Sequence, residues 1–315
     1  MMRIRKFAGC VAVVMALFCI SLPAAAQQTA PGVPAHIVVS VQPRHGTEIP
    51  MITQEDFVVR QGRDVRPVTG RVRATGDQAG LALAILIDDM SATSLGVQLD
   101  DIRAFIQEQA PTTQVAVGYV QNGTVFLVHD FTKDHAAAAK SLRLPQGYWG
   151  AEASPYTSLS DFIKRWPASS GTPRREVLMI SSGIDTLYEG VYPDPYVDAS
   201  VRDAQRAGVV VYSIYTPSAG HFGHSFFLAY WGQNFLSQLS EETGGESYYF
   251  LGPEPPVSFS PYLDKLNHQL GNQFLLTFMA EPQKKAGPEP LKIISENHTV
   301  DFVYPDKVCV PASPE

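Results

Sequence analysis

The pattern of apolar and polar residues over the middle of the chain alternates between strand-like and helix-like segments. Leu81 to Ile87 is an unbroken apolar run, which is typical of a strand buried on both faces of a parallel sheet. The apolar residues from Leu99 to Ile106 then recur at helical spacing. Glu176 to Ile180 and Val209 to Tyr215 repeat the buried-strand pattern after further helical segments. The alternation predicts an α/β fold with a Rossmann-like, doubly wound, mainly parallel sheet.

Local signals place several boundaries within this alternation. Asn122-Gly123 separates two strand-like segments and predicts a two-residue hairpin. Asp134 precedes a short helical segment as its N-cap, and Gly208 closes another helix. An amphipathic pattern predicts a further helix over Ser158 to Trp166.

Shorter alternating segments flank this region on both sides. Three precede it and three follow it: His36–Val41, Asp56–Arg60, Val65–Val72, Phe274–Phe278, Leu291–Ile294 and Val300–Tyr304. We expect the two groups to pack together as a small accessory β unit. The predicted organisation is a signal peptide at 1–26, a linker and β segment at 27–77, the α/β domain at 78–272, and a β segment with a tail at 273–315.

One stretch does not follow the alternation. Residues 216–233 are rich in aromatic side chains and have the character of an insertion between the strand ending at Tyr215 and a helix predicted over Asn234 to Glu242. Two interpretations stay open for its aromatic residues, namely buried packing or an exposed recognition surface. The residues concerned are Phe222, Phe226, Phe227, Tyr230 and Trp231.

The first residues have the features of a secretory signal. Arg3, Arg5 and Lys6 form a positive region, and an apolar stretch ends at Pro23-Ala-Ala-Ala26, where small residues suit cleavage. The apolar stretch is short for a retained anchor, so we expect no stable membrane span after cleavage. The sequence therefore predicts an exported protein, periplasmic or secreted.

Cysteine content and charge narrow the function classes. Cleavage would remove Cys10 and Cys19 and leave Cys309 alone, so an internal disulfide is not expected. The formal net charge is −7, and the signal contains basic but no acidic residues, so the mature chain would be more acidic still. This balance argues against nucleic acid or anionic lipid as the partner.

Polar residues that could bind a ligand follow the buried strand that begins at Leu81. Asp88 and Asp89 end the strand, and Ser91 and Thr93 come next at alternate positions. The carboxyl ends of parallel strands are where open α/β sheets bind ligands, and such oxygens suit a hard divalent cation. Capping of the next helix explains the same residues without a ligand.

These residues also carry a resemblance to a known family. A buried strand ending in Asp-x-Ser-x-Thr, a later Thr loop opening a helix, and a buried strand ending in a Gly turn resemble the von Willebrand factor type A domain, over roughly residues 78–272. Ile52-Thr-Gln-Glu-Asp-Phe57 and Leu239-Ser-Glu-Glu-Thr-Gly-Gly245 resemble its exported bacterial members, known mainly from Acidobacteria.

The resemblance implies a metal-ion-dependent adhesion site built from three loops. The matching residues are Asp89, Ser91 and Thr93 in the first loop, Thr157 in the second and Ser182 in the third. The implied cofactor is Mg²⁺ or Ca²⁺. The third loop of the family normally reads Thr/Ser-Asp-Gly, whereas this chain has Ser181-Ser182-Gly183 and lacks the carboxylate. A weakened cation site and a vestigial, hydrogen-bonded cluster of loops both remain open, with Asp88 and Asp185 near enough in sequence to substitute.

The resemblance implies an exported, non-enzymatic binding or adhesion module. It would recognise a protein or cell-surface ligand at the carboxyl edge of the sheet, with or without a degenerate metal site. The alternative is a metal-independent scaffold of a cell-envelope assembly. No triad, acid pair or phosphate-binding glycine loop is evident in the sequence, so we do not expect an enzyme.

Overall fold

The computed structural model describes residues 32–46, 48–147, 154–167, 174–188, 193–220, 225–249 and 256–312. The predicted signal peptide and Phe222 lie outside these residues. Within them, no helix is both long enough and apolar enough to cross a bilayer.

A six-stranded sheet forms the centre of the fold. Its strands are β5 (Leu81–Asp88), β6 (Thr113–Gln121), β7 (Thr124–Thr132), β8 (Arg175–Ser181), β9 (Val209–Tyr215) and β10 (Ser247–Tyr248). Their spatial order is β10-β9-β8-β5-β6-β7, with all pairs parallel except β6–β7 at one edge. This order runs outward in both directions from β5, which is the doubly wound arrangement that the alternation predicts.

Helices cover both faces of this sheet. They are α1 (Leu99–Gln107), α2 (His135–Lys140), α3 (Pro155–Lys164), α4 (Pro195–Ala207), α5 (Phe226–Glu242) and α6 (Ser260–Gly271). Side chains of a strand point alternately to opposite faces, so Leu83 and Ile85 pack with α1 and α6, while Ala84 and Leu86 pack with α3, α4 and α5. Burial on both faces explains why β5 contains only apolar residues before its final aspartate.

The predicted local signals are confirmed. Asn122 and Gly123 both have positive φ, at 51° and 75°, and form the turn of the β6–β7 hairpin. The Asp134 side chain accepts a hydrogen bond from Ala137 N–H and caps α2. Gly208 ends α4 in the left-handed conformation with φ of 65°.

The flanking segments form two four-stranded sheets around a third apolar core. Their strands are β1 (Val33–Pro43), β2 (Phe57–Gln61), β3 (Asp64–Arg66), β4 (Val68–Arg73), β11 (Gln273–Ala280), β12 (Gly287–Ser295), β13 (Val300–Val303) and β14 (Lys307–Val310). The orders are β13-β1-β11-β4 and β14-β12-β2-β3, so each sheet contains strands from both ends of the chain. This is the predicted accessory β unit, and Phe57 stacks on Phe302 inside it. The domain boundaries themselves stay a prediction.

A buried polar network joins the accessory unit to the central sheet. Arg174 donates to Gln273 Oε1 at 2.6 Å, and its Nε lies 3.6 Å from Glu176 Oε1. Gln273 Nε2, at the start of β11, donates to Tyr212 Oη at 3.0 Å and to Ser40 Oγ at 3.2 Å. Burial raises the pKa of Glu176, although the Arg174 charge opposes the shift. Strands of both units thus share one set of hydrogen bonds.

The aromatic stretch differs from its predicted form. Helix α5 begins at Phe226, capped by Ser225, and not at Asn234. Before Phe235, the buried positions of the helix are Ala229, Gly232 and Gln233, and none of them is a large apolar residue. The helical pattern was therefore hidden, because a glycine and a glutamine occupy buried positions that an apolar residue usually marks.

Candidate functional site

Two adjacent aspartates at the end of β5 have different partners. The Asp88 carboxylate accepts hydrogen bonds from Ser181 Oγ at 2.7 Å and from Met90 N–H at 3.0 Å. Burial raises the pKa of Asp88, and the Ser181 hydrogen bond opposes this shift. Asp88 thus connects the first loop of the site to the third loop.

Asp89 is almost completely buried and forms an ion pair with Arg143. Arg143 donates Nη1–H to Oδ1 at 2.8 Å and Nη2–H to Oδ2 at 2.9 Å, and Gln146 N–H donates to Oδ1 at 2.9 Å. The hydrogen bonds to Asp89 raise the pKa of Arg143. A two-pronged guanidinium–carboxylate contact is among the strongest charge-assisted arrangements in proteins. The negative charge of Asp89 is therefore already compensated within the chain.

Tyr119 on β6 holds Arg143 in place. The guanidinium carbon lies 3.7 Å from the centroid of the Tyr119 ring, within the range of a cation–π contact. The Tyr119 hydroxyl donates to Arg143 O and accepts from Arg143 N–H, both at 2.7 Å. Gly147 N–H also donates to Asp89 O at 2.9 Å, so the segment after α2 is fixed to the first loop.

The other two first-loop residues lie in contrasting surroundings. Ser91 is 1% exposed, and its Oγ has no hydrogen-bond partner among the described residues. Its backbone pairs with Ser218, which follows β9. Thr93 begins a short 3-10 helix, Thr93–Gln98, and is exposed to solvent.

In the second loop the hydroxyl that reaches the third loop belongs to Ser154. Helix α3 begins at Pro155, earlier than predicted, and Ser154 caps it by accepting from two backbone N–H groups at 3.3 Å. Ser154 Oγ also donates to Asp185 Oδ2. Thr157, the residue predicted here, is half-buried and donates to Ser154 O at 3.0 Å. Its hydroxyl is thus used inside the first turn of the helix.

The third loop contains a carboxylate, three positions later than the family pattern. Ser182 is buried, and its Oγ accepts from Ile184 N–H at 3.4 Å. Asp185 accepts from Leu187 N–H at 2.8 Å in addition to Ser154. Burial raises the pKa of Asp185 to about 6, although the Ser154 hydrogen bond opposes this. Asp185 thus joins the third loop to Ser154 of the second loop.

At Gly183 and Gly232, the third loop and helix α5 meet backbone to backbone. A Cβ built on Gly183 would lie 2.3 Å from Gly232 O, and one built on Gly232 would lie 2.1 Å from Ser182 O. Gly183 also has φ of 67°, which favours glycine. The first turns of α5 therefore lie beside the site.

Those turns expose three aromatic side chains. Phe226, Phe227 and Tyr230 are 65%, 63% and 51% exposed. Trp231 is partly buried and contacts both Phe227 and Phe235, with ring centroids 5.8 and 5.9 Å apart. We call Phe226, Phe227 and Tyr230 the aromatic face.

These donors, as arranged, do not fit a divalent cation. Hard cations need several free oxygen ligands, but both Asp89 oxygens accept from Arg143. In the described part of the chain, no three His, Cys, Asp or Glu side chains are grouped so that they could hold a metal. The ligand set Asp89, Ser91, Thr93, Thr157 and Ser182 stays a prediction. Arg143 and Ser154 are the residues that the sequence pattern missed.

Comparisons with known proteins agree with the predicted resemblance. The chain is similar to an aerotolerance-related membrane protein from Bacteroides fragilis NCTC 9343 (13% identity, 61% of this chain and 98% of that chain, TM-score 0.43). It is also similar to the SpRpn10 VWA domain (13%, 59% and 94%, TM-score 0.38) and to a von Willebrand factor type A structure from Catenulispora acidiphila (9%, 91% and 76%, TM-score 0.42). No family model and no curated protein matches the sequence.

Von Willebrand factor A domains are thus among the solved structures to which the chain is similar. The fold class itself rests on the observed strand order and on the helices that cover both faces of the sheet. Identities of 9–13% concern the fold alone and say nothing of ligand, metal or location.

Proposed function

We propose that this chain is an exported, non-enzymatic binding module that holds a protein ligand at the carboxyl edge of its central sheet without a cation. The observation that carries the proposal is the ion pair between Asp89 and Arg143. In a metal-dependent site the cation balances the carboxylate charge, whereas here Arg143 supplies that positive charge from within the chain. Binding would therefore need no Mg²⁺ or Ca²⁺.

The aromatic face supports a protein as the ligand. Phe226, Phe227 and Tyr230 project from a helix that is held against the third loop through Gly183 and Gly232. Large aromatic side chains on a rigid element bury much area at little conformational cost, and they are frequent energetic anchors of protein interfaces. The aromatic face and the half-exposed Arg143 would form the apolar and polar parts of one binding surface.

An enzymatic role has less support at this site. Ser154 and Asp185 are the hydroxyl and carboxylate in direct contact, but Ser154 is also the N-cap of α3. Among the described residues no histidine hydrogen-bonds to either of them, so the arrangement lacks the base that a serine nucleophile requires. We therefore assign the pair to holding the second and third loops together.

The test is capture from a bacterial cell-envelope extract on the immobilised chain, with EDTA or with Mg²⁺. We expect the same captured protein in both conditions, and its loss in the variant Phe226→Ser/Phe227→Ser. Phe126→Ser is the matched control, because Phe126 is an exposed aromatic residue on β7, at the far edge of the sheet. Capture abolished by EDTA, or kept by the double variant, contradicts the proposal.

Ser91 favours a second candidate, in which a cation completes the site after Arg143 moves away. Its hydroxyl is buried without a partner, which is unusual for a polar atom in a protein interior. This candidate requires that Mg²⁺ or Ca²⁺ raises the melting temperature of the unmodified chain and that Asp89→Ala abolishes the shift. Absence of any shift with either ion excludes it.

Export is the remaining part of the proposal and rests on the predicted signal at residues 1–26. We expect the mature protein to begin at Gln27 and to be found in the periplasm or the medium. N-terminal sequencing of the secreted fraction tests this. A chain that retains Met1 and stays in the cytoplasm contradicts it.

A further inference from the structure

A cleft of about 420 Å³ lies at the opposite end of the central sheet from the candidate site. One wall consists of the first residues of β8 and β9, Arg175 and Val209, together with the end of α4 at Gly208. The other wall consists of β1, β11 and β14 of the accessory unit. The cleft thus lies between the two parts of the fold, a common place for ligand sites.

Strand alternation turns polar side chains of the accessory unit toward this cleft. On β14, Val308 and Val310 are buried in the accessory core, while Lys307 and Cys309 are half-buried on the other face. On β1, Ala35 and Ile37 belong to the same core, and His36 lies on the cleft side. The polar residues in the cleft therefore follow from the β pattern itself.

The charge of the cleft is opposite to that of the chain. Its lining includes the basic residues His36, Arg175, Arg206 and Lys307 and no aspartate or glutamate, whereas the formal net charge of the chain is −7. Local positive charge in an acidic protein concentrates anions.

Two of these basic side chains have no direct partner. Among the described residues, no hydrogen bond or ion pair is made by the side chain of Arg175 or of Lys307. Asp306 and Glu242, whose carboxyl groups interact electrostatically with Lys307, do not line the cleft. Arg206 differs, because its guanidinium lies 3.8 Å from Asp203.

The remainder of the lining is mostly apolar. Val38 and Leu275 contribute side chains beside the basic groups. Mostly apolar walls with a few fixed polar groups are characteristic of small-molecule sites, and the volume lies within their usual range. An inorganic anion would leave the apolar walls uncovered.

We propose that this cleft binds a small organic acid, with its anionic group between Arg175 and Lys307 and a short alkyl body against Val38 and Leu275. The site is independent of the proposed function, since it lies at the amino end of the sheet and shares no residue with the aromatic face. Octanoate is the probe, because it combines one carboxylate with an alkyl chain of suitable size.

Cys309 provides a reporter inside the cleft. It is the one free cysteine among the described residues and is half-buried. We would measure its alkylation by iodoacetamide on the full chain, using peptide mass spectrometry to separate Cys309 from Cys10 and Cys19. We expect octanoate to slow this alkylation saturably, while acetate and 1-octanol at equal concentration have little effect.

The variants Arg175→Gln and Lys307→Gln separate charge recognition from simple covering of the thiol. Each should raise the octanoate concentration for half-protection about tenfold, the usual order for one charge-assisted hydrogen bond. Arg202→Gln is the control, because Arg202 is exposed on α4 but does not line the cleft. In each variant, the octanoate concentration for half-protection is determined against the alkylation rate of the same variant without octanoate. This corrects for any change in the reactivity of the Cys309 thiol.

Three results would overturn the proposal: no saturable protection by octanoate, equal protection by 1-octanol, or unchanged half-protection in both charge variants. Titration calorimetry with octanoate gives a second measurement on any variant whose melting temperature has changed. A saturable heat that Arg202→Gln retains and Lys307→Gln reduces supports the site.

Discussion

Two carboxylate–arginine pairs lie at opposite ends of the central sheet, and their geometries differ. At the carboxyl edge, Asp89 accepts two hydrogen bonds of 2.8 and 2.9 Å from Arg143, whose side chain is 35% exposed. At the amino edge, Glu176 lies 3.6 Å from Arg174 Nε, and the two side chains are 0% and 4% exposed. The first pair is well formed and reachable from solvent, whereas the second is looser and sealed.

We use the difference to separate the proposed binding role of the first pair from a structural role of the second. Arg174 also donates to Gln273 and to two backbone carbonyls, so it stabilises the junction between the sheets by many contacts. Arg143 is held by Tyr119 and lies between Asp89 and solvent, where an incoming ligand can meet it. Removing one partner of a fully buried pair leaves an uncompensated buried charge, whereas water can replace a partner that is partly exposed.

The sharpest test of this comparison is Arg174→Met. It leaves the Glu176 carboxylate buried without its cation, and we expect the free energy of unfolding to fall by about 3–5 kcal/mol. Urea unfolding measures the change. Glu176→Gln in the same chain should restore much of the loss, because it removes the uncompensated charge. A loss below about 1 kcal/mol would refute the assignment of this pair to the junction.

Arg143→Ala should have a smaller effect on stability. Water can enter the space that the guanidinium leaves, so we expect a loss of about 2 kcal/mol in urea unfolding. The freed Asp89 oxygens should also give the variant a Mg²⁺- or Ca²⁺-dependent rise in melting temperature that the unmodified chain lacks. Asp89→Asn/Arg143→Ala is the control and should show no ion dependence. A loss equal to that of Arg174→Met would remove the distinction between the pairs.

Asp185 gives a third test, because its raised pKa makes its effect on stability depend on pH. Its folded-state pKa of about 6 lies above its usual value of 3.8, so its contribution to stability is fully present below pH 3.8 and is lost as the pH rises through 6. We expect Asp185→Asn to gain about 2 kcal/mol relative to the unmodified chain between these limits, because solvent screening reduces the roughly 3 kcal/mol that the pKa shift corresponds to. Urea unfolding across this range measures it. Parallel pH profiles for the two proteins would contradict the shift.

The smallest effect on stability should come from the aromatic face. Phe226→Ser and Phe227→Ser remove exposed side chains, so each should change the free energy of unfolding by less than about 0.5 kcal/mol. Phe235→Ala, on the buried side of the same helix, should cost about 3–5 kcal/mol. Thermal unfolding distinguishes them. A large loss from either exposed site would mean that the aromatic face is structural.

Most of the fold could be predicted from the sequence, because its signals are local. The apolar run at Leu81, the hairpin at Asn122-Gly123 and the cap at Asp134 each act over a few residues. The start of α5 was missed because Gly232 and Gln233 occupy buried helix positions, and the contact with the third loop explains the glycine.

The candidate site was less predictable because its decisive contacts are distant in sequence. Arg143 is separated from Asp89 by 54 residues, and no local pattern near Leu142 indicates that an arginine will reach the first loop. Ser154 precedes a proline at the start of a helix, so its sequence predicts a cap and not a bond to Asp185. Neither role can be derived without the tertiary structure.

The contact between Gly183 and Gly232 sets a distance that no side chain can adjust. Backbone meets backbone there, so the gap between the third loop and α5 is as small as the chain allows. A single methyl group at Gly232 would act as a spacer and push the aromatic face away from the third loop. The two glycines thus fix the relative position of the apolar and charged parts of the proposed binding surface. Adding carbon atoms at Gly232 one at a time would change that position.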